Sequence, residues 1–222
     1  MSECQKLEAS ILAFNAKNKK IFLKQLDSMR KAGINTIHYD VIDGKFAPNT
    51  GYGTEWLKEL FLRGFEVNVH FMVMKPIKWF KDFAVYPFSA LTFQPEPISK
   101  LTASILLKKI KRSNRMCGLA FKPHTDLNRY INLIKKCDYV TIMGVEPGFG
   151  GQQFMEDITL KNLALINKIK KAHNHNLIIE LDGGVNLDVI KLTSKYVDNF
   201  VSGSFLIKQK NHKAIVKFVE QI

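Results

Sequence analysis

The stretch Ile37-His38-Tyr39-Asp40-Val41-Ile42-Asp43-Gly44 decides how the rest of the sequence is interpreted. Apolar and polar residues alternate along it, which is typical of a β-strand with its period of two. The imidazole of His38 and the carboxylate of Asp40 stand two residues apart, so both side chains lie on one face of the predicted strand. This pattern predicts a functional site where the strand ends.

Three later stretches repeat the arrangement of an apolar run with a polar or glycine-rich end. Residues 67–72 carry His70, and residues 178–184 carry Asp182 ahead of two glycines. Residues 147–152, Pro-Gly-Phe-Gly-Gly-Gln, form the longest glycine-rich loop. We expect these groups to meet, because the C-terminal ends of parallel strands lie at one edge of a sheet or barrel.

Strand-like and helix-like segments alternate along the whole chain and make eight strand-helix units. The predicted strands are 9–13, 35–41, 65–72, 88–93, 116–121, 138–143, 177–181 and 197–201. The predicted helices are 17–33, one from about 54, 76–84, 98–112, 125–136, one around 160–169, 187–194 and 212–222. Eight such units predict an α/β fold, a (β/α)8 TIM barrel in a single domain, 1–222. The alternative, an open doubly wound sheet, would usually carry a dinucleotide fingerprint after the first strand, and none is present there.

The composition is that of an ordinary globular protein, with 46% hydrophobic and 24% charged residues among 222. The net charge of +13 comes from 33 basic residues, of which 28 are Lys and 5 are Arg. Arg is the residue favoured for bidentate recognition of bases and phosphates, so this Lys excess indicates a composition bias. We therefore predict no nucleic-acid partner, and keep a basic nucleic-acid-binding protein as the non-enzyme alternative.

The cysteines and the N-terminal residues predict a cytoplasmic protein. Cys4, Cys117 and Cys137 lack the short spacing of metal-binding cysteines, and an odd number leaves at least one thiol unpaired. The apolar run at 9–14 is far shorter than a signal peptide core or a membrane span. We expect reduced thiols and no membrane partner.

Four of the residues at predicted strand ends have the chemistry of metal ligands: His38, Asp40, His70 and Asp182. Two imidazoles with two carboxylates suit one divalent Zn, Mn, Fe or Co ion better than an all-oxygen calcium site. Taken singly, each of these residues is more often an ordinary polar group at a strand end. Together they favour a metal centre.

The two carboxylates also suit acid/base catalysis. If Asp40 and Asp182 come from nearly opposite sides of the barrel, one can remove a proton from a substrate carbon and the other can return a proton to its opposite face. That exchange inverts a stereocentre, and a carbon next to a carbonyl is the plausible target because its deprotonation gives an enediolate that a metal can neutralise. The alternative for Asp182 is a turn-forming role ahead of Gly183 and Gly184.

Glycine-rich turns at three predicted strand ends indicate a phosphate site. They are the loop with Gly148, Gly150 and Gly151, the pair Gly183-Gly184, and Gly203-Ser204. TIM barrels often bind phosphate with the loops after strands seven and eight, although each turn taken alone is more often a tight turn. Met72 and Met143 are candidate pocket walls, and Ser10 is a candidate substrate contact.

In combination these motifs resemble the ribulose-phosphate 3-epimerase family over nearly the whole chain. The matching segments are 10–12, 38–44 with Phe46 and 48–49, 69–72, 145–152 with Phe154, 180–185 and 203–204. Three positions depart from the family pattern: Ala9 stands where the family usually has Pro, Ile42 where it has Met, and Gln94 where it has His. We expect Ile42 and Gln94 to change walls of the pocket.

The resemblance implies a metal-dependent sugar-phosphate epimerase of the pentose phosphate pathway that interconverts D-ribulose 5-phosphate and D-xylulose 5-phosphate at C3. It implies Asp40 and Asp182 as the acid/base pair and His38, Asp40, His70 and Asp182 as ligands of one divalent ion. The substrate contacts it implies are Ser10, His70, Gly148, Phe149, Gly150, Gly151, Asp182, Gly183, Gly184, Gly203 and Ser204. It also implies a homo-oligomer. The alternatives are a D-allulose-6-phosphate 3-epimerase and a related phosphate-binding lyase, which would want a catalytic Lys that this sequence does not place beside these acids.

Overall fold

The strands of the chain form a closed, parallel, eight-stranded barrel in chain order, in a computed structural model that describes residues 5–222. They are β1 (Lys6–Ser10), β2 (Thr36–Ile42), β3 (Glu66–Met72), β4 (Ala90–Phe93), β5 (Met116–Phe121), β6 (Tyr139–Met143), β7 (Ile178–Asp182) and β8 (Asn199–Ser202). Strand β1 pairs with both β2 and β8, which closes the barrel. The predicted TIM barrel is confirmed, while Cys4 lies outside the described residues.

Helices follow the strands and surround the barrel. They are α1 (Lys19–Lys31), α2 (Leu57–Leu62), α3 (Pro76–Phe83), α4 (Lys100–Arg112), α5 (Ile131–Ile134), α6 (Glu156–His173), α7 (Leu187–Thr193), α8 (Ser204–Lys208) and α9 (His212–Glu220). Within residues 5–222, no helix is both long enough and apolar enough to cross a membrane.

Helix α1 illustrates how the sequence sets these boundaries. The Asn18 side chain accepts a hydrogen bond from the Ile21 backbone N–H and so satisfies a free donor at the start of the helix. Just after its end, Gly33 adopts a φ of 96°, a left-handed conformation that glycine reaches without strain. Between these points Phe22 and Leu26 are fully buried against the barrel.

Two predicted elements differ in extent from the structure, and one helix was not predicted. The first strand is β1 rather than 9–13, since residues 11–13 form a single tight helical turn. The predicted helix 125–136 shortens to such a turn at 127–130 followed by α5. Helix α8 was not predicted, because five residues are too few to show a helical period.

Strand β2 shows how each barrel strand serves two environments. Ile37, Tyr39 and Val41 point outward and are buried in the apolar core between the barrel and its helices. The alternate residues His38 and Asp40 point into the barrel, where both are almost completely buried. The period-two pattern of the sequence therefore predicts which side chains reach the site.

Candidate active site

His38 and Asp40 on β2, His70 on β3 and Asp182 on β7 form one compact cluster at the C-terminal ends of the strands. Each offers one ligand-type atom, and these atoms all lie within 4.8 Å of one another. His38 Nε2 is 3.2 Å from His70 Nδ1, 3.4 Å from Asp40 Oδ1 and 3.6 Å from Asp182 Oδ2. Strands β2 and β7 are three steps apart around the barrel, so the two carboxylates approach from nearly opposite sides.

The spacing of these atoms fits a single divalent metal ion. Ligand atoms bound to one ion at about 2.0–2.2 Å lie roughly 3.0–3.6 Å apart. His70 Nδ1 lies 3.5 Å from Asp40 Oδ1 and 3.5 Å from Asp182 Oδ2, within the same narrow range. Two buried imidazole nitrogens that face each other also need a cation or a shared proton between them. The donor set therefore fits a divalent ion that accepts nitrogen and oxygen ligands.

The electrostatics of the cluster favour positive charge at its centre. Burial lowers the pKa of His38, but the carboxylates of Glu180, Asp40 and Asp182 outweigh it and raise this pKa well above 6.5. Burial likewise raises the pKa of Asp40, but the charge and hydrogen bonds of His38 and His70 hold it well below its usual range. These opposite shifts are those of a site that stabilises a cation among carboxylates.

A second, buried polar network lies below the cluster inside the barrel, and the sequence pattern does not predict it. Glu8 Oε1 accepts hydrogen bonds from Asn68 Nδ2 at 2.8 Å and Asn199 Nδ2 at 2.9 Å. The Tyr139 hydroxyl lies 3.0 Å from Glu8 Oε1 and 3.1 Å from Glu180 Oε2. The only local signal is that Glu8 and Glu180 stand two residues before Ser10 and Asp182, on the same faces of their strands.

Burial keeps the Glu8 carboxyl of this network protonated to a higher pH in the folded state than in the unfolded chain. Burial and the neighbouring charge of Glu180 raise its pKa from 4.5 to about 8, although His38 opposes the shift. Between these two pH values the unfolded chain releases a proton that the folded chain keeps. The contribution of Glu8 to stability is therefore lost as pH rises through this window, and it levels off above it.

Replacing Glu8 with Gln is expected to remove this pH dependence. The Gln oxygen can accept the same hydrogen bonds, and its NH₂ replaces Oε2, which has no hydrogen-bond partner among the described residues. From pH 5 to pH 8 the free energy of unfolding of Glu8→Gln should rise by about 3 kcal/mol relative to the wild type, at about 1.4 kcal/mol per pKa unit.

Denaturant unfolding of metal-free protein at several pH values measures this difference. The matched control is Glu66→Gln, which changes an exposed Glu on β3. A difference between Glu8→Gln and wild type that does not vary with pH would show that Glu8 titrates normally.

An open cleft lies above the cluster and holds about 580 Å³ of empty space, part of it continuous with solvent. Nearly all predicted substrate contacts line it: Ser10, Gly148, Phe149, Gly150, Gly151, Asp182, Gly183, Gly184, Gly203 and Ser204. The exception is His70, which is completely buried beneath the cleft. Asp40 also lines the cleft, and its Oδ2 accepts a hydrogen bond from Ser10 Oγ at 2.8 Å.

The long glycine-rich loop over this cleft is held in place by side-chain hydrogen bonds. Asn49 Nδ2 donates to the carbonyl oxygen of Gly148 at 2.7 Å, which ties the loop to the segment after β2. Gln152 Nε2 donates to the carbonyls of Glu146 at 2.7 Å and Phe149 at 2.8 Å. The backbone of the loop is therefore ordered before a ligand binds, while the Phe149 ring at its tip is half exposed.

Gly183 is required by the close approach of β6 and β7. Its φ is 98°, and a Cβ built there would lie 2.5 Å from Val145 Cγ2. Gly183 therefore makes the turn after β7, while Asp182 is the last residue of the strand and its carboxylate belongs to the cluster.

Of the predicted pocket walls, Met72 and Met143 line the cleft. Ile42 does not line the cleft, since it is buried in a small apolar cluster with Ala47 and the two methionines. Gln94 is also absent from the cleft lining and is completely buried behind His70. The expectation that Ile42 and Gln94 form pocket walls is therefore corrected: both lie one layer behind the wall.

The fold and the cluster together define a class, a TIM-barrel protein with opposed carboxylates and a candidate metal centre under a glycine-lined cleft. Residues 6–207 match the model of the ribulose-phosphate 3 epimerase family. The chain is 38% identical over 184 residues to the ribulose-phosphate 3-epimerase of Mycoplasma genitalium, covering 82% of this chain and 84% of that one. It is 32% identical over 188 residues to that of Escherichia coli, covering 83% and 82%. The chain belongs to the ribulose-phosphate 3-epimerase family.

Solved structures that resemble this one more distantly share its fold. The 3-hexulose-6-phosphate synthase of Salmonella typhimurium aligns with a TM-score of 0.66 at 13% identity, covering 97% of each chain. The tryptophan synthase of Mycobacterium tuberculosis aligns with a TM-score of 0.64 at 12% identity, covering 98% of this chain and 92% of that one. At these identities the likeness concerns the barrel alone.

Proposed function

We propose that this chain interconverts D-ribulose 5-phosphate and D-xylulose 5-phosphate by moving a proton at C3. Its family membership suggests this reaction, which is a step of the pentose phosphate pathway. The observation that carries the proposal is the pair of carboxylates, Asp40 and Asp182, on strands from nearly opposite sides of one cleft. Inverting a stereocentre needs one group that removes a proton from one face and another that supplies a proton to the opposite face.

Asp40 and Asp182 are the two acid/base groups in this proposal. Both line the cleft, so a substrate carbon between them can contact each carboxylate. One carboxylate takes the C3 proton of the bound ketose and leaves an enediolate. The other carboxylic acid then gives its proton to the opposite face of C3. The Ser10 hydroxyl, which donates to Asp40 Oδ2, leaves Oδ1 free to face the cluster.

His38, Asp40, His70 and Asp182 would hold one divalent ion, of Zn, Fe, Mn or Co. When bound, such an ion acts as a Lewis acid that stabilises negative charge on the oxygens of the substrate. The two imidazoles are both buried and lie 3.4 Å and 3.5 Å from Asp40 Oδ1, where they help to orient this carboxylate. The Met72 and Met143 side chains give the cleft an apolar wall, which limits solvent access to a reactive carbanion.

The glycine-lined end of the cleft would bind the substrate phosphate. Gly150, Gly151, Gly184 and Gly203 line it without side chains, so backbone N–H groups can approach a phosphate closely. The loop is ordered by Asn49 and Gln152 and therefore loses little entropy when it binds an anion. Ser204 adds a hydroxyl at the same end.

Inorganic phosphate and simple sugar phosphates are expected to inhibit turnover of D-ribulose 5-phosphate competitively. Unphosphorylated D-ribulose at the same concentration should have no effect, because it lacks the dianion that the glycine turns would bind. Initial-rate measurements over a range of substrate concentrations test this. Inhibition by D-ribulose that equals inhibition by sugar phosphates would contradict a phosphate site in this cleft.

The direct test of the proposal is to compare kcat/KM for D-ribulose 5-phosphate and D-allulose 6-phosphate with the purified, zinc-loaded protein. We expect turnover of the pentulose phosphate to D-xylulose 5-phosphate, and a higher kcat/KM for it than for the hexulose phosphate. A higher kcat/KM for D-allulose 6-phosphate would reassign the substrate. No turnover of either would contradict the epimerase proposal.

A further inference from the structure

Gln94 lies directly behind His70, on the side of the imidazole that faces away from the cluster. It follows β4, is completely buried, and does not line the cleft. Its amide group is 3.2 Å from His70 Nε2, while His70 Nδ1 faces Asp40 and Asp182. The amide therefore contacts the nitrogen of His70 that does not face the candidate metal centre.

Only one orientation of the Gln94 amide satisfies all of its neighbours. With its oxygen toward His70, it accepts from Nε2–H at 3.2 Å, and its nitrogen donates to the Ala120 carbonyl at 2.6 Å and to Glu96 Oε2 at 3.3 Å. In the opposite orientation the amide nitrogen faces His70 and the weak acceptor Met143 Sδ, and the oxygen faces only acceptors. Hydrogen-bond matching of this kind is how amide orientations are assigned.

Glu96 holds the amide in the first orientation. Its Oε1 accepts from the Lys122 backbone N–H at 3.1 Å and from Thr125 Oγ1 at 2.5 Å. The carboxylate is therefore fixed by the segment after β5, and its second oxygen is presented to the Gln94 NH₂. A chain of hydrogen bonds thus runs from this anchored acid through Gln94 to His70.

We propose that Gln94 is a positioning residue that fixes the proton of His70 on Nε2, so that Nδ1 offers its lone pair to the metal centre. This inference rests on the proposed metal site. A neutral imidazole binds a metal through one nitrogen and donates a hydrogen bond from the other, and the partner of that bond fixes the tautomer and ring orientation.

The second histidine of the cluster shows why this role belongs to Gln94 in particular. His38 Nε2 faces the cluster, and its Nδ1 has no hydrogen-bond partner among residues 5–222. The nearest carboxylate oxygens are Glu180 Oε1 at 3.6 Å and Glu8 Oε2 at 3.9 Å, both beyond hydrogen-bond distance. Of the two histidines, only His70 has its tautomer fixed by a hydrogen bond in this structure.

The test compares Gln94→Met, Gln94→His and a control, Asn162→Leu. Met keeps the length of Gln without a strong acceptor, whereas a neutral His offers an acceptor for His70 Nε2–H and one donor in place of the two of the amide. Asn162 is buried and donates to the Pro123 carbonyl at 2.8 Å, so Asn162→Leu removes a comparable buried bond without touching a histidine.

Two measurements separate positioning from a general loss of stability. The first is the zinc dissociation constant, obtained by competition with a chelator. The second is the ¹⁵N spectrum of histidine in the zinc-loaded protein, which shows which ring nitrogen of His70 carries the proton and how fast that proton exchanges.

We expect wild-type His70 to show a slowly exchanging proton on Nε2. Gln94→Met should weaken zinc binding by about 10–100-fold and speed that exchange. Gln94→His should restore both values toward wild type, and Asn162→Leu should change neither.

The outcomes distinguish this inference from the proposed metal site on which it rests. If wild-type protein does not bind zinc at the cluster, the metal site and the inference both fail. If wild-type protein binds zinc through His70 Nδ1 but Gln94→Met keeps its affinity and its slow proton, only the role of Gln94 fails. An equal loss of affinity in Asn162→Leu would also overturn the role of Gln94.

Discussion

Replacing Asp182 with Asn is expected to reduce kcat for the interconversion of D-ribulose 5-phosphate and D-xylulose 5-phosphate by about 10²–10⁴-fold. The amide has nearly the same shape as the carboxylate but cannot take a proton from carbon. Because Asp182 lies at the mouth of the cluster rather than in the apolar core, the fold should remain intact. Steady-state kinetics with circular dichroism of the variant measures both effects.

The two acid/base variants should also differ in a way that a general loss of activity would not produce. Asp182→Asn and Asp40→Asn each keep one working carboxylate, which still faces one side of C3. Each variant should therefore exchange with solvent the C3 proton of only one epimer. That epimer should be D-ribulose 5-phosphate for one variant and D-xylulose 5-phosphate for the other. The control is Asp157→Asn, an exposed acid at the start of α6, which should behave like wild type.

Near-normal turnover in Asp182→Asn would contradict its assignment as an acid/base group. Exchange of both epimers by a single variant would contradict the division of the two faces between two carboxylates. Loss of all exchange in both variants, with intact folds, would point to a role in binding alone.

Removal of the metal is expected to abolish turnover of D-ribulose 5-phosphate. After exhaustive dialysis against a chelator, turnover should fall to background, since the carboxylates would then lack the charge that stabilises the developing anion. Adding Zn, Mn, Fe or Co should restore turnover, whereas Ca should not, because two of the four candidate ligands are nitrogens. Elemental analysis of the dialysed protein must accompany the assay.

Metal binding should also raise the midpoint of thermal unfolding. A ligand that binds only the folded state at 100 times its dissociation constant adds about 2.7 kcal/mol of stability. Full activity in protein shown to be metal-free would contradict a catalytic ion. Loss of activity without any shift of the unfolding midpoint would place the ion elsewhere than in this buried cluster.

The sequence predicted the barrel and the cluster for the same physical reason. In β2, β3 and β7 apolar residues point outward with a period of two, and the polar residues that break the run include those that reach the site. His38, Asp40, His70 and Asp182 therefore stand out against an apolar background. A barrel formed by these strands brings the four side chains together at one end.

Strand β1 could not be predicted correctly from the same pattern. Its inward-facing Glu8 interrupts the apolar run, so the sequence pattern favours residues 9–13 as the strand. Barrel interiors are usually filled by branched apolar residues, and here the layer contains Glu8, Tyr139 and Glu180. Glu8 and Tyr139 are 131 residues apart in sequence, and no local pattern predicts that they share a hydrogen bond.

The sequence correctly predicts that Gln94 and Ile42 lie near the site, but wrongly predicts that they form walls of the pocket. Both follow the inward period of their strands, which brings them to the C-terminal end of the barrel. Whether such a residue lines the cleft or lies behind another side chain depends on the tilt and stagger of neighbouring strands. The tilt and stagger of the strands are set when the barrel closes, so the sequence pattern does not predict them.

Solvent exchange at C3 during a single turnover of D-ribulose 5-phosphate in D₂O shows whether two different carboxylates take and return the proton. It is followed by NMR with zinc-loaded wild-type protein. With two carboxylates, we expect D-xylulose 5-phosphate with deuterium at C3 in essentially every molecule, because the proton donor is a different group from the acceptor. D-xylulose 5-phosphate that retains the original C3 hydrogen would contradict the account, since one group would then have carried the proton between both faces.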